Sequence, residues 1–580
     1  MNEIELKYFQ DIREHRLGLA KSLYDPSMRG VLDVISNLYR DDAHFVYELL
    51  QNADDQKATH AKFILSENEL LFIHNAPRHF TITDNATHEA DKENGVLGNV
   101  NSILSIASSS KGDRQDEVPI GKFGLGFKSV FLFTDEPEVF DENIRFSISN
   151  YIVPTLIDND HALRKEGETL FRFKFKPGEE SSAYRKISEK LRGLVNPLLF
   201  LNKLKSIEWE TEDDSGYYKL EEVGEIGSGK KLKYDVVSDE VDTTLELWKF
   251  DSPIDESKRL FVSVVYVLQN GELGTAVHPL YCYLPTANIT DLPVILHAPF
   301  KLTGNRESIM ADDPHNRDMI ARLSKLLVSS LKEICEIGES EQTPWIKDNI
   351  LNFLPKQVGP KEEITAAKLD IEPLTRAVLD ALRVNPMLWS EQLRKYLLSK
   401  QSFVPDNGYL AEVYTSEILE ELYGSEKGWV LPSLISELRK SSELLRQIGV
   451  ERLTPEKILR KITSLFLGKR SIEWLREWYK SLLKVPNLWE RGDDPFLRYQ
   501  SIVKTVNNGP FVPPYIKGTE TPNVCFFTPG AEEVISEGLH IIPSELTEDD
   551  EVESFFKRLG ISGIDTFAMA EKVYLPKVNS

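Results

Sequence analysis

Three glycines set close together constrain this chain more than any other feature. In Ile120-Gly121-Lys122-Phe123-Gly124-Leu125-Gly126-Phe127-Lys128-Ser129 they let successive backbone N–H groups turn toward one point, and a helix starting near Phe127 would aim its positive end there. Such a segment either cradles a phosphate or makes a tight turn. Its spacing is not that of the eight-residue phosphate loop, and no acidic residue follows where a dinucleotide fold needs one.

A second pattern lies upstream, where the periodicity over residues 24–58 is helical and Asp41-Asp42 supply an acidic start. Within Glu48-Leu49-Leu50-Gln51-Asn52-Ala53-Asp54-Asp55, the residues Glu48, Asn52 and Asp55 fall at i, i+4 and i+7, on one narrow side beside an apolar stripe. Taken alone, that side reads as an exposed polar face. The glycine segment downstream is what weighs against that plainer reading.

The pair ELLQNADD (48–55) and IGKFGLGFKS (120–129), with SIASSSK (105–111) between them, resembles the GHKL ATPase superfamily, nearest its sacsin-type and ninety-kilodalton heat-shock branches. The resemblance covers residues 20–310 and implies a Bergerat α/β two-layer sandwich that binds ATP and Mg²⁺. By motif position it gives Glu48 the role of general base, Asn52 that of Mg²⁺ ligand, and Asp55 an orienting role. Gly121, Gly124 and Gly126, with Lys122, Phe123, Leu125 and Phe127 between and beside them, become the phosphate cradle. Ser109, Ser110 and Lys111 become part of a closing lid, as the loss of periodicity over residues 81–119 also suggests. Lys128 either neutralises phosphate charge or faces solvent.

Two departures from the family accompany this. Asn75 in Ile73-His74-Asn75-Ala76-Pro77 stands where an Asp reads the adenine amino group, and the glycines expected after it are missing. An Asn carbonyl accepts from that amine while its NH₂ needs another partner. Thr169 matches the Gly-Thr step beneath the adenine with one residue inserted. Further on, Leu302-Thr303-Gly304-Asn305-Arg306-Glu307 resembles the loop that sends an arginine to the γ-phosphate, so Arg306 becomes a transition-state stabiliser, with a surface ion pair as its plainer role. Met310 replaces the family's catalytic Gln, and Lys301 is a secondary candidate.

A chain of 580 residues needs several cores, and the patterns divide it into four: 1–210, the ATP-binding domain; 211–340, an α+β transducer; and two mostly helical modules, 341–465 and 466–580. Strands are expected at 61–65, 70–74, 144–149, 170–175 and 207–210, with a helix at 183–194; strands then dominate 217–284 and helices take over after 316. Phe403-Val404-Pro405 recurs as Phe511-Val512-Pro513, and Ile448-Gly449-Val450 as Leu559-Gly560-Ile561, which suggests tandem repeats of roughly 110 residues.

A formal charge of −23 disfavours nucleic acid and anionic lipid as partners of this chain alone. Cys282, Cys335 and Cys525 lie too far apart for a disulfide framework or zinc set, and there is neither a leader-like N-terminus nor a run of apolar residues long enough for a membrane span. A cytoplasmic, slow, lid-gated ATPase is expected. The resemblance further implies a nucleotide-dependent homodimer, an effector or client bound by the helical repeats, and work as a chaperone or within a bacterial defence system. The competing expectation is a nucleotide-gated scaffold that does not hydrolyse.

Overall fold

The computed structural model describes residues 1–23, 45–105, 126–255, 260–303, 308–354, 369–406, 408–424, 426–430, 447–489, 496–506, 511–519, 522–527 and 540–564. The chain divides into two compact units, Met1–Ile337 with Asn349–Val378, and Gly338–Asp348 with Leu379–Ser580. Both mix helices and strands, as the alternating patterns require.

In the first unit, helix α1 (Glu3–Leu23) precedes α2 (Phe45–Asp55). Then β1 (His60–Leu65) and β2 (Glu69–His74) form the expected hairpin, with Ala61 opposite His74. Alternation in β1 sends Ala61, Phe63 and Leu65 inward, while β2 is buried at nearly every position because it is covered on both faces. Short helices α3 (His88–Glu93) and α4 (Asn99–Ile103) and a 3₁₀ helix (Gly126–Leu132) lead to β3 (Glu138–Phe140), β4 (Arg145–Ser149), β5 (Val153–Leu156) and β6 (Thr169–Lys174). Helix α5 (Glu180–Arg192) then buries Ala183, Ile187 and Leu191, one residue per turn, with Glu180 in its first turn and Lys190 and Arg192 in its last, each matched to the helix dipole.

Strand β7 (Ser206–Glu210) is where the sheet is extended. It pairs parallel with β1 on one side and antiparallel with β8 (Ser215–Ile226) on the other. From there the sheet continues through β9 (Gly229–Ser238), β10 (Asp242–Pro253) and β11 (Phe261–Gln269), with β12 (Glu272–Leu273) folded back on β11. It ends with β13 (Pro279–Cys282), β14 (Leu284–Ile289) and β15 (Ile295–His297). The order is β14-β13-β15-β11-β10-β9-β8-β7-β1-β2-β6-β3-β4-β5, so one 15-stranded sheet runs across the expected boundary at residue 210. Helix α6 (Pro314–Ser340) follows it.

The stretch 81–119, where periodicity is lost in the sequence, contains α3 and α4 in its described part. Helices of six and five residues are too short to print a periodicity. Residues 24–44 and 106–125, including Ser109, Ser110, Lys111, Gly121, Lys122, Phe123, Gly124 and Leu125, lie outside the described residues, as does Arg306.

The second unit holds a hairpin of β16 (Leu388–Ser390) and β17 (Lys395–Leu397) and two small parallel sheets. In one sheet, β18 (Ser402–Pro405) lies between β19 (Gly428–Trp429) and β20 (Glu451–Leu453); in the other, β21 (Val524–Phe527) lies between β22 (His540–Ile541) and β23 (Gly563–Ile564). Each puts its first strand in the middle. Phe403-Val404-Pro405 forms part of β18, but Phe511-Val512-Pro513 lies outside β21, with Val512 bridging Val503. The two tripeptides therefore occupy different places despite their identical letters.

Gly216 on β8 faces Trp209 across the β7 pair, and a Cβ there would press on the Val237 carbonyl and lie 2.6 Å from the indole. Gly216→Ala is expected to cost about 1–3 kcal/mol, read as a lower urea midpoint. Gly224→Ala, where nothing lies within 4 Å, should move the midpoint by much less.

Candidate nucleotide site

Helix α2 is amphipathic but draws charged residues inside: Glu48 is 5% exposed and Asp54 2%. Phe45, Val46, Leu49, Leu50 and Ala53 form the apolar side that seats the helix, and Glu48 is drawn in beside them. Asn52 and Asp55, at one and two further turns, are half-buried. The three residues thus share an edge between core and solvent, where a carboxylate and an amide oxygen can face a polar ligand.

The residue between them has another task. Asp54 is buried, and its carboxylate accepts from the backbone N–H groups of Asn202, Lys203 and Leu204 at 2.9, 2.6 and 2.8 Å. Burial raises its pKa and these three donors oppose the rise. Asp54 therefore pins the end of α2 to the loop that feeds β7. Nothing in the motif distinguishes it from Asp55 except helical phase.

The 3₁₀ helix beginning at Gly126 packs against α2. Phe127 is buried against Phe171 and Phe173, at 5.9 and 6.4 Å between ring centroids, so its ring belongs to the core. Lys128 neither faces solvent nor reaches into open space. It is 1% exposed, and its Nζ donates to the carbonyl of Ile103 at 2.7 Å and to that of Tyr151. Burial, with the nearby Arg16 charge, lowers its pKa to about 7. Sequence patterning could not foresee this, because an exposed and a buried lysine look alike until their carbonyl partners are placed.

At the far end of β2, Asn75 is exposed and its amide is engaged at both ends. Its Oδ1 accepts from the N–H groups of Thr59 and His60, each at 2.9 Å, and its Nδ2 donates to Thr59 Oγ1 at 2.9 Å. The carbonyl expected to accept from an adenine amine is thus occupied in tying the start of β1 to the end of β2. Thr169 is buried opposite His74 and donates its hydroxyl to Asp141 Oδ2 at 2.7 Å. Asp141, 0% exposed, also accepts from Phe80 N and Asn143 N and meets His79 Nδ1 at 3.4 Å. This buried acid organises the segment after β2. Its only sequence signal is an acidic residue at a strand end, which is too common to single out.

Arg306 lies outside the described residues, but the ends of its loop are held together. Thr303 N donates to Ser308 O at 2.8 Å, Leu302 bridges Ile309, and the buried Asn316 side chain bonds both the N–H and the carbonyl of Lys301. Lys301 pairs with Asp313 at 3.1 Å, and Met310 is exposed.

His74 is buried among Phe72 and Phe171, with Nδ1 accepting from Ala76 N at 3.2 Å, and burial lowers its pKa from 6.5 to about 4. Between those values the unfolded chain takes up a proton that the folded chain refuses. Stability therefore rises with pH through the window and is lost as pH falls, by up to about 3 kcal/mol from this residue. Urea midpoints measured from pH 4.5 to 7 should show the slope, and His74→Gln should flatten it.

Comparison with known proteins finds likenesses to this chain. Residues 27–153 match the family model described as "Sacsin domain". Protein NO VEIN of Arabidopsis thaliana is 26% identical over 345 residues, covering 53% of this chain and 12% of that protein. Human sacsin is 30% identical over 124 residues, covering 20% of this chain and 2% of sacsin. Chaperone protein HtpG of Vesicomyosocius okutanii subsp. Calyptogena okutanii (strain HA) is 30% identical over 120 residues, 18% of this chain and 20% of that chaperone. The chain thus matches at most a fifth of the length of these relatives. Among the described residues no helix is long and apolar enough to cross a membrane. Over residues 27–153 this chain is thus similar to the sacsin domain, a likeness consistent with a sacsin-type, heat-shock-ninety-like GHKL fold.

Proposed function

We propose that the chain binds ATP with Mg²⁺ and hydrolyses it slowly, as a conformational switch of the sacsin and heat-shock-ninety kind. The observation that carries this reading is the buried Glu48 one helical turn before Asn52, on a helix packed against the 3₁₀ helix that Gly126 opens. The donor set fits a hard cation. Asn52 offers a neutral oxygen, and Mg²⁺ bound there would spread the charge of the phosphates.

Glu48, as general base, accepts a proton from the water whose oxygen bonds to the γ-phosphorus while the bond from that phosphorus to the β–γ bridging oxygen breaks, leaving ADP and phosphate. Asp55 orients this edge of the helix. The backbone of residues 121–127 holds phosphate oxygens, Ser109, Ser110 and Lys111 belong to the covering segment, Thr169 lies under the base, and Arg306 meets the transferring phosphoryl group. These assignments rest on motif position. Lys128 is left out, since its ammonium is committed to two carbonyls.

The paired small sheets, each with its first strand central, and the left-handed glycines Gly449 (φ 81°) and Gly560 (φ 87°), one before the last strand of each sheet, support a tandem repeat in the second unit. That repeat is the proposed docking part for an effector or client, and nucleotide-dependent pairing of two copies through the first unit belongs to the same reading.

A second reading, the scaffold that binds nucleotide without turnover, is favoured by the engaged Asn75 amide and by the exposed Met310. Phosphate release from ATP with Mg²⁺ separates the two. Glu48→Ala should lower turnover by about 10²–10⁴-fold while nucleotide binding survives, and Asn52→Ala should weaken Mg²⁺-nucleotide binding. A parent that binds nucleotide yet releases no phosphate makes the chain a scaffold.

A further inference from the structure

Helix α1 buries Phe9, Ile12 and Ala20, and Arg16 falls on the same line, four residues from each of the last two. A cation on the inward stripe of a helix needs an acceptor. Among the described residues Arg16 has a long contact from Nη2 to Ser105 Oγ, 3.4 Å, and its Nε is buried with no hydrogen-bond partner. Burial lowers its pKa.

Two more basic groups surround it. The ring Nδ1 of His88, at the start of α3, is also buried without a partner, and the Arg16 charge lowers the His88 pKa in addition to burial. Of the groups on α3 itself, Glu89 and Asp91 oppose that shift and Lys92 adds to it. Lys128 is the third, likewise pressed by Arg16, and its ammonium spends two of three N–H groups on carbonyls. Helix α1 packs over both the 3₁₀ turn at Asn85–Thr87 and strand β5, which is how residues from three parts of the chain converge.

We propose that Arg16 and His88, with the buried Lys128 behind them adding positive charge, form an oxyanion-binding site beneath α1, taking a phosphate group. Partly buried cations without counter-ions are costly, and a tetrahedral oxyanion would accept from the orphaned Arg16 Nε and from a protonated His88 Nδ1 at once. The phosphate group comes either from free phosphate or from a bound nucleotide. The site does not rest on ATP hydrolysis.

The test is a titration of the whole chain with inorganic phosphate, against chloride at equal ionic strength, by calorimetry and by NMR of the His88 ring. His88→Gln assigns that resonance among the 11 histidines. Phosphate should bind and raise the His88 pKa, because a nearby anion favours the protonated ring. Arg16→Ala should weaken phosphate binding at least tenfold and Arg16→Lys less. Circular dichroism checks the fold of each variant, and His88→Gln, at a half-buried helix start, gives a second affinity measurement if Arg16→Ala does not fold. Repeating the titration with saturating ADP separates the sources: a retained response means free phosphate, and a lost one means a phosphate of the nucleotide. An unshifted His88 ring in the parent, or equal phosphate affinity in the folded variants, overturns the proposal.

Discussion

One buried carboxylate holds the architecture in register. Asp54 takes three consecutive peptide N–H groups of residues 202–204, so the helix carrying Glu48 and Asn52 cannot shift without disturbing the entry to β7. That entry matters because β7 is the strand that pairs in parallel with β1 and so joins the first strands of the sheet to all that follow. Charge-assisted bonds of this kind are among the strong ones in a dry interior, and three of them on one side chain fix orientation as well as distance. The same loop carries Phe200, whose ring stacks on His297 at 4.5 Å, with Lys249 5.2 Å from the Phe200 centroid. A continuous packed route thus leads from the candidate site to β15, a few residues before the loop that bears Arg306.

Much of this was legible in the residues. Strands β1 and β7 and the stripe of α5 follow from alternation and from the spacing of Ala183, Ile187 and Leu191, because each buries one face only, while β2 follows from its short apolar run after the Glu67-Asn68 turn. Helix α1 escaped notice since Arg16 interrupts its inward stripe, while Leu17 and Leu19 are exposed. Strand β9 escaped as well, its lysines at 230, 231 and 233 hiding an alternation that buries Leu232 and Tyr234.

Within the site, helical phase grouped Glu48, Asn52 and Asp55, and the structure places them along one edge. It could not reveal the work of their neighbours. Asn75 and Lys128 are both polar residues beside a motif, and what sets their roles is a partner distant in sequence: Thr59 for one, Ile103 and Tyr151 for the other. Tertiary hydrogen bonds of this sort leave no periodic trace. The repeated Phe-Val-Pro shows the converse error, since identical letters need not mark equivalent strands when one copy contributes only a single bridge.

The unbroken sheet has a mechanical meaning. Fifteen strands laced edge to edge by peptide hydrogen bonds offer no flexible joint, because bending such a lattice at any one seam would sever a ladder. Deformation in the first unit must therefore spread as a small added coil over many strands, or be confined to segments outside the lattice. A sheet built in this way would carry a twist applied at one rim across to the other.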